Sequence, residues 1–303
     1  VSTNWARKFR TRHPDLRARW TTSLEACHAQ QLNPTLVKEF FKLLSSVIKD
    51  YNILPENIYN MDEKGVQLGV GKRTYVLVDR DQKTVHQIEE GSRELVTIIE
   101  CVCADGTALA PAVIYKAKRR NLEWGRDNPS NAYISFSPKG WTDMELGLKW
   151  LETVFEPETA ARNLSNGWRL LILDGHNSHC SYSFCIFADK HRIIVICLIP
   201  HSTHRLQPCD VGVFGPLASS WKSEVNLASR QYIKITKTNF LQYYHNARSQ
   251  AFKEETIRAA FRKTGIWPVD PSVIEESAFA PSLNTTTQAS QPVPATIPDI
   301  VIS

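Results

Sequence analysis

Four apolar residues, Leu170, Leu171, Ile172 and Leu173, run without a break onto a carboxylate and a glycine, Asp174-Gly175. An uninterrupted apolar run of this length suits a strand buried on both faces, inside a sheet covered by helices. A charge at the end of such a strand costs free energy to bury unless something compensates it, and a metal ion is a good partner. Two other acids could meet it. Asp62 follows Ile58-Tyr59-Asn60-Met61, and Asp210 lies in Leu206-Gln207-Pro208-Cys209-Asp210-Val211-Gly212.

The 303 residues suffice for one large domain or two smaller ones. The net charge of +5 is compatible with a polyanionic partner without identifying one. Seven cysteines, an odd number with no regular spacing, indicate a reduced intracellular protein and exclude a disulfide scaffold. Cys101-Val102-Cys103 has no Cys-x-x-Cys spacing, so packing on one strand face is expected and zinc is not. There is no signal peptide and no apolar run long enough to span a bilayer, so no membrane association is expected. Val1 already lies within what reads as a motif, which suggests a chain cut from a longer protein.

Taken in order, residues 1 to about 20 carry Arg7, Lys8, Arg10, Arg12, Arg17 and Arg19 against one acid, Asp15. Trp5 and Phe9 at i and i+4 can dock one helical face and leave the basic side chains for phosphates. A solvated helical face explains the same charges. Residues 34–51 read as a helix with Leu36, Phe40, Leu43, Leu44, Val47 and Ile48 as its stripe. Short strands are expected at Ile58–Met61, 73–78 and 95–103, and Asp105-Gly106 should turn the last into a hairpin with Leu109–Tyr115. Asp143–Phe155 reads as a helix capped by Thr142, with Met144, Leu148, Leu151 and Phe155 on one face. The buried strand at 170–173, a helix near 181–190, a strand at 193–199, a helix from Pro216 and a helical region at 238–264 follow. This order predicts a mixed α/β sheet covered on both faces.

Asp62 and Asp174 would then end strands, and Asp210 would precede a helix. Loops at one edge of such a sheet converge. Three carboxylates there can hold one or two hard divalent ions, and two ions can serve both oxygens of a phosphoryl displacement. For any one of them alone, a turn or cap role is the simpler reading. Glu63, adjacent to Asp62, should point to the other face of the strand.

Between Asp174 and Asp210 lie 35 residues, a spacing that resembles that of the last two acids in DDE/DDD transposases. The words Tyr59-Asn60-Met61-Asp62-Glu63-Lys64-Gly65, Leu173-Asp174-Gly175-His176-Asn177-Ser178-His179 and Leu206-Gln207-Pro208-Cys209-Asp210-Val211-Gly212-Val213-Phe214 closely resemble the pogo branch of the mariner-like superfamily. That branch includes the Tigger and Jerky types and centromere protein B. Thr264-Gly265-Ile266-Trp267-Pro268 resembles the segment after its catalytic core, and Trp5–Arg19 the end of its second helix-turn-helix unit.

The resemblance implies a ribonuclease-H-like mixed sheet flanked by helices, with a partial helix-turn-helix segment in front. It implies metal-dependent DNA cleavage and strand transfer with two Mg²⁺ or Mn²⁺ ions held by Asp62, Asp174 and Asp210. It also implies double-stranded DNA as partner (transposon terminal repeats and target), a homodimer and a nuclear location. The expected organisation is a DNA-binding remnant and connecting helix over 1–52, the core over 53–235, a helical extension over 236–277 and a disordered tail over 278–303. The alternative is a transposase-derived DNA-binding protein that no longer uses its acids.

Other residues admit two readings. His176 and His179 could contact the scissile phosphate or steady Asp174, or simply satisfy turn hydrogen bonds. His201 and His204 could shape the same site. Lys116, Lys118, Arg119 and Arg120 form a basic run that could grip DNA or serve nuclear import, or lie in a solvated loop. For Trp124 and Trp141, core packing is expected ahead of base stacking.

Overall fold

The computed structural model describes residues 33–71, 94–119, 121–175, 181–200 and 202–274. In chain order these form α1 (Pro34–Asp50), β1 (Ile58–Gln67), β2 (Leu95–Cys103), β3 (Ala112–Lys116), β4 (Tyr133–Ser137), α2 (Met144–Trp150), α3 (Glu156–Arg162), β5 (Arg169–Leu173), α4 (Tyr182–Lys190), β6 (Ile193–Cys197), α5 (Thr203–Leu206), α6 (Phe214–Arg230), α7 (Phe240–Ala251) and α8 (Glu254–Thr264). Two π-helical turns complete the path: Leu151–Phe155 joins α2 to α3, and Cys209–Val213 leads into α6.

The strands make one mixed sheet in the order β4-β3-β2-β1-β5-β6. β1 and β3 pair antiparallel to β2, while β1–β5, β5–β6 and β3–β4 are parallel. Among the described strands only β2 runs against the rest. β5 is the buried strand that its apolar run requires: Leu170 to Leu173 have no solvent exposure, each stabilising the fold by about 1.5–3 kcal/mol.

Alternation on β1 sends its side chains to two cores. Ile58 and Val66 pack with Val96, Ile98 and Val102 beneath α1, α6, α7 and α8. Tyr59 and Met61 pack with Ile99, Cys101, Cys103, Leu171 and Leu173 beneath α2, the first π-turn and α4. Cys101 and Cys103 are therefore buried, reduced and on one face, as packing required.

Several expected details change. α1 begins at Pro34 with the Asn33 side chain capping Thr35 N at 2.8 Å, but it buries Val37, Phe40, Phe41 and Leu44, whereas Leu36 and Leu43 are exposed. The helix after residue 143 is capped by Asp143, which accepts from Leu146 N at 2.9 Å, not by Thr142. It continues past Phe155 to Arg162, and its buried side is Trp150, Leu151, Val154 and Phe155, with Met144 exposed. β6 stops at Cys197, short of residue 199. Trp141 is exposed, not in the core, whereas Trp124 packs on Tyr115 with ring centroids 4.9 Å apart. The expected strand at 73–78, the N-terminal basic segment and the tail lie outside the described residues.

Candidate metal-carboxylate site

Asp62 stands within β1, not at its end, because β1 continues to Gln67 by pairing Lys64–Gln67 with Leu95–Ile98 of β2. Its register partner across β1–β2 is Glu100. Directly opposed residues of antiparallel strands share a face, so Asp62 projects toward α6, α7 and α8, and Glu63 toward the opposite face as expected.

Glu100 is completely buried and fully engaged. Arg248 of α7 grips it with two prongs, Nε to Oε1 at 2.8 Å and a terminal guanidinium nitrogen to Oε2 at 2.9 Å, and the Tyr244 hydroxyl donates to Oε1. Burial works against the Arg248 charge, but Glu100 outweighs it and holds the guanidinium pKa above its ordinary value. Burial, with the Glu100 charge second, pushes the Tyr244 hydroxyl up. Paired this way, Glu100 is a structural anchor between β2 and α7.

The second acid reaches the same region through β5. In the β1–β5 ladder Asn60 pairs with Ile172, so Asp62 and Asp174 each lie two residues beyond the last paired position. Asp174 directly follows β5, and the chain turns away at Gly175 with φ +75°. A Cβ at Gly175 would lie 3.2 Å from Cys197 Cβ, so both the conformation and the space favour glycine.

The third acid sits in the π-turn before α6, which starts earlier than Pro216 would suggest, so Asp210 is inside the first turn and not before the helix. It is exposed. The turn lies tight on α8: a Cβ at Gly212 would come within 2.4 Å of Ala260 Cβ and 2.8 Å of Ala260 Cα. Asn60, wholly buried, accepts from Cys209 N at 2.9 Å and donates to Ile172 O at 3.0 Å.

These elements bring the three acids into electrostatic contact. The Asp62 carboxyl is pushed up to about 8, first by burial, then by the like charge of Asp210 and, to a smaller extent, that of Asp174. Hydrogen bonds from the Gln207 side chain and from Glu63 N, at 2.7 Å to Oδ1, work against the rise. Among the described residues no group of three or more His, Cys, Asp and Glu side chains is arranged to hold a metal ion as it stands. The charges of Asp210 and Asp174 oppose ionisation of Asp62, so nothing draws the three acids together by themselves. The donor set nonetheless fits a hard divalent cation, which takes oxygen ligands and turns that repulsion into attraction. Buried Gln207 also leaves its Oε1 without a hydrogen-bond partner beside Asp62.

Of the remaining expected site residues, Lys118 and Arg119 are exposed just after β3. His204 lies on α5. His176, His179, His201, Arg120, Arg7, Lys8, Arg10 and Arg12 lie outside the described residues. No sequence pattern assigns a role to Asn60, Gln207 or Glu100. The available signal was a polar side chain inside an otherwise apolar strand, or three residues before an acid.

The DDE superfamily endonuclease family matches residues 92–261, a span that contains Asp174 and Asp210 and begins after Asp62. Among curated relatives, MFS-type transporter clz9 of Cochliobolus lunatus is 33% identical over 227 residues, covering 74% of this chain and 24% of that protein. Among the described residues here, no helix is long and apolar enough to cross a membrane. Pogo transposable element with KRAB domain of Mus musculus is 27% identical over 227 residues, 74% of this chain and 36% of that protein. The chain thus spans about a quarter to a third of the length of these relatives. A pre-cleavage Mos1 transpososome superposes with a TM-score of 0.56 at 13% identity, covering 93% of this chain and 71% of that one. The Mos1 mariner paired end complex with Mn gives 0.56 at 11% identity, with 91% and 70% covered. At such identities the likeness is one of fold, a ribonuclease-H-like mixed sheet flanked by helices. The chain belongs to the DDE superfamily endonucleases.

Proposed function

We propose that this chain is the catalytic part of a pogo-type transposase, a metal-dependent endonuclease that cuts DNA at transposon ends and joins the freed 3′-hydroxyl to target DNA. The core would span 53–235, with 236–277 as its helical extension. The observation that carries the reading is the convergence on Asp62, whose buried carboxyl is loaded with the negative charge of Asp210 and Asp174. A DNA-binding descendant without catalysis would have no use for three acids kept against one another at a cost in stability.

Asp62, Asp174 and Asp210 would hold two Mg²⁺ or Mn²⁺ ions through carboxylate oxygens. When bound, such ions stabilise the attacking and the leaving oxygen of a phosphoryl displacement. The chain's own residues do the rest. The β1–β5 ladder fixes two of the acids on one rigid edge, and the π-turn presents the third from the side. Lys118 and Arg119, with Arg120, Arg7, Lys8, Arg10 and Arg12, are the proposed phosphate contacts, and His176 and His179 the proposed supports of Asp174 or the scissile phosphate. The substrate is double-stranded DNA, namely terminal repeats and target. A homodimer would hold two ends together, in keeping with the paired-end arrangement of the Mos1 structures. The nucleus is the compartment where that substrate is met.

The test is nicking of duplex DNA in Mg²⁺ or Mn²⁺ by wild type and Asp174→Asn, which removes a ligand charge at almost constant volume. Metal-dependent cuts by wild type alone, with DNA affinity alike in both, are expected. Binding without cuts in wild type would give the chain to the DNA-binding alternative, and equal cuts in both would remove Asp174 from the site.

A further inference from the structure

We propose that Asn60 is the positioning residue that sets the spacing of the three carboxylates. The inference rests on the site reading above and assigns a role within it. Asn60 precedes Asp62 by two residues on the same strand. Its Nδ2 donates to the carbonyl of Ile172, two residues before Asp174, at 3.0 Å. Its Oδ1 accepts from the amide of Cys209, one residue before Asp210, at 2.9 Å. Its own carbonyl faces the Cys209 thiol at 3.7 Å. One side chain, with no solvent exposure, is thereby tied to all three acid-bearing segments at the point where each is about to present its acid.

Both bonds fall where regular backbone pairing ends or begins. The β1–β5 ladder pairs only Ile58, Asn60 and the residue between them with β5, so the Nδ2 bond reinforces the last rung before Asp62 and Asp174. Cys209 opens a π-helical turn, and the first amides of a helical segment have no partner within it. The orientation of the amide follows from its partners: a backbone N–H needs the oxygen and a carbonyl needs the NH₂. Aspartate would keep the acceptor and lose the donor. Leucine, of the same branched shape but bulkier, would lose both. No other side chain of this size offers a donor and an acceptor in this fork.

A residue that only stabilises the fold and one that sets ligand spacing differ in their effect on metal binding. The experiment measures Mn²⁺ binding by titration calorimetry and Mn²⁺-dependent nicking, on the full chain, for wild type, Asn60→Leu, Asn60→Ser and Asp174→Asn. Loosening an outer support of metal ligands weakens metal affinity about 10–100-fold. Folded Asn60→Leu and Asn60→Ser are therefore expected to bind Mn²⁺ that much more weakly, to need correspondingly more Mn²⁺ for half-maximal nicking, and to recover at saturation, with DNA affinity unchanged. A lower melting temperature with an unchanged Mn²⁺ titration would overturn the proposal. Should both variants fail to fold, amide exchange in the wild type decides: protection of Cys209 N–H is expected, and exchange at the rate of an exposed amide overturns it. Failure of the underlying site reading looks different, since wild type itself would then neither bind Mn²⁺ tightly nor lose binding in Asp174→Asn.

Discussion

Asp62 is a carboxyl whose surroundings oppose its charge. With a folded pKa of about 8 against an ordinary 3.8, it carries a proton in the folded, metal-free chain over a range where the unfolded chain has lost it. Its contribution to stability is complete below about 3.8 and disappears as the pH rises through about 8. The stability of wild type relative to Asp62→Asn, from urea denaturation in EDTA, should therefore fall across that window, and divalent metal should reduce the fall. A flat difference would mean that the carboxyl is not raised. At this scale Asp174 was legible as a candidate because a charge against an apolar run stands out, and Asp62 and Asp210 through the short words around them. Asn60 and Gln207 were not legible, because an amide carries no charge and its partners are remote. The bonds of Asn60 reach 112 and 149 residues along the chain.

Between residues and the whole fold, periodicity located most elements and misjudged their ends. β1 runs through Asp62-Glu63-Lys64-Gly65, a stretch of poor strand formers, because β2 offers it an unbroken ladder that overrides local preference. β4 was missed: its five residues alternate weakly, and what makes them a strand is the parallel pairing with β3. The π-turn bearing Asp210 also depends on its neighbour, since Gly212 leaves no room for a methyl group against Ala260. The clash involves backbone and Cβ atoms that no rotamer change relieves. Gly212→Ala should therefore cost about 1–3 kcal/mol in denaturant titrations and displace Asp210. Nicking by the folded fraction should drop with it. Full activity and stability would show that the π-turn can shift without moving its acid.

For the molecule as a whole, strand direction decides what meets what. β1, β3 and β5 run the same way, so Asp174 and the basic residues after β3 leave the sheet at the same edge. DNA held at the acids would then lie within reach of Lys118 and Arg119. Replacing both with alanine should weaken DNA binding and lower the log–log salt slope by about 0.9 for each phosphate that is no longer neutralised. An unchanged slope would return the run to a solvated loop.

By itself the sequence determined the class of fold and singled out the three acids as candidates, since both are written in contiguous residues: an apolar strand, its terminal carboxylate, and short words around each acid. Tertiary structure alone decided that Asp62 lies within a strand, that Glu100 is neutralised by Arg248, and that one asparagine touches all three acid-bearing segments. The reason is physical. Burial patterns repeat every two or 3.6 residues and are visible locally, whereas a hydrogen bond between distant segments exists only once the sheet register and the helix docking have been set.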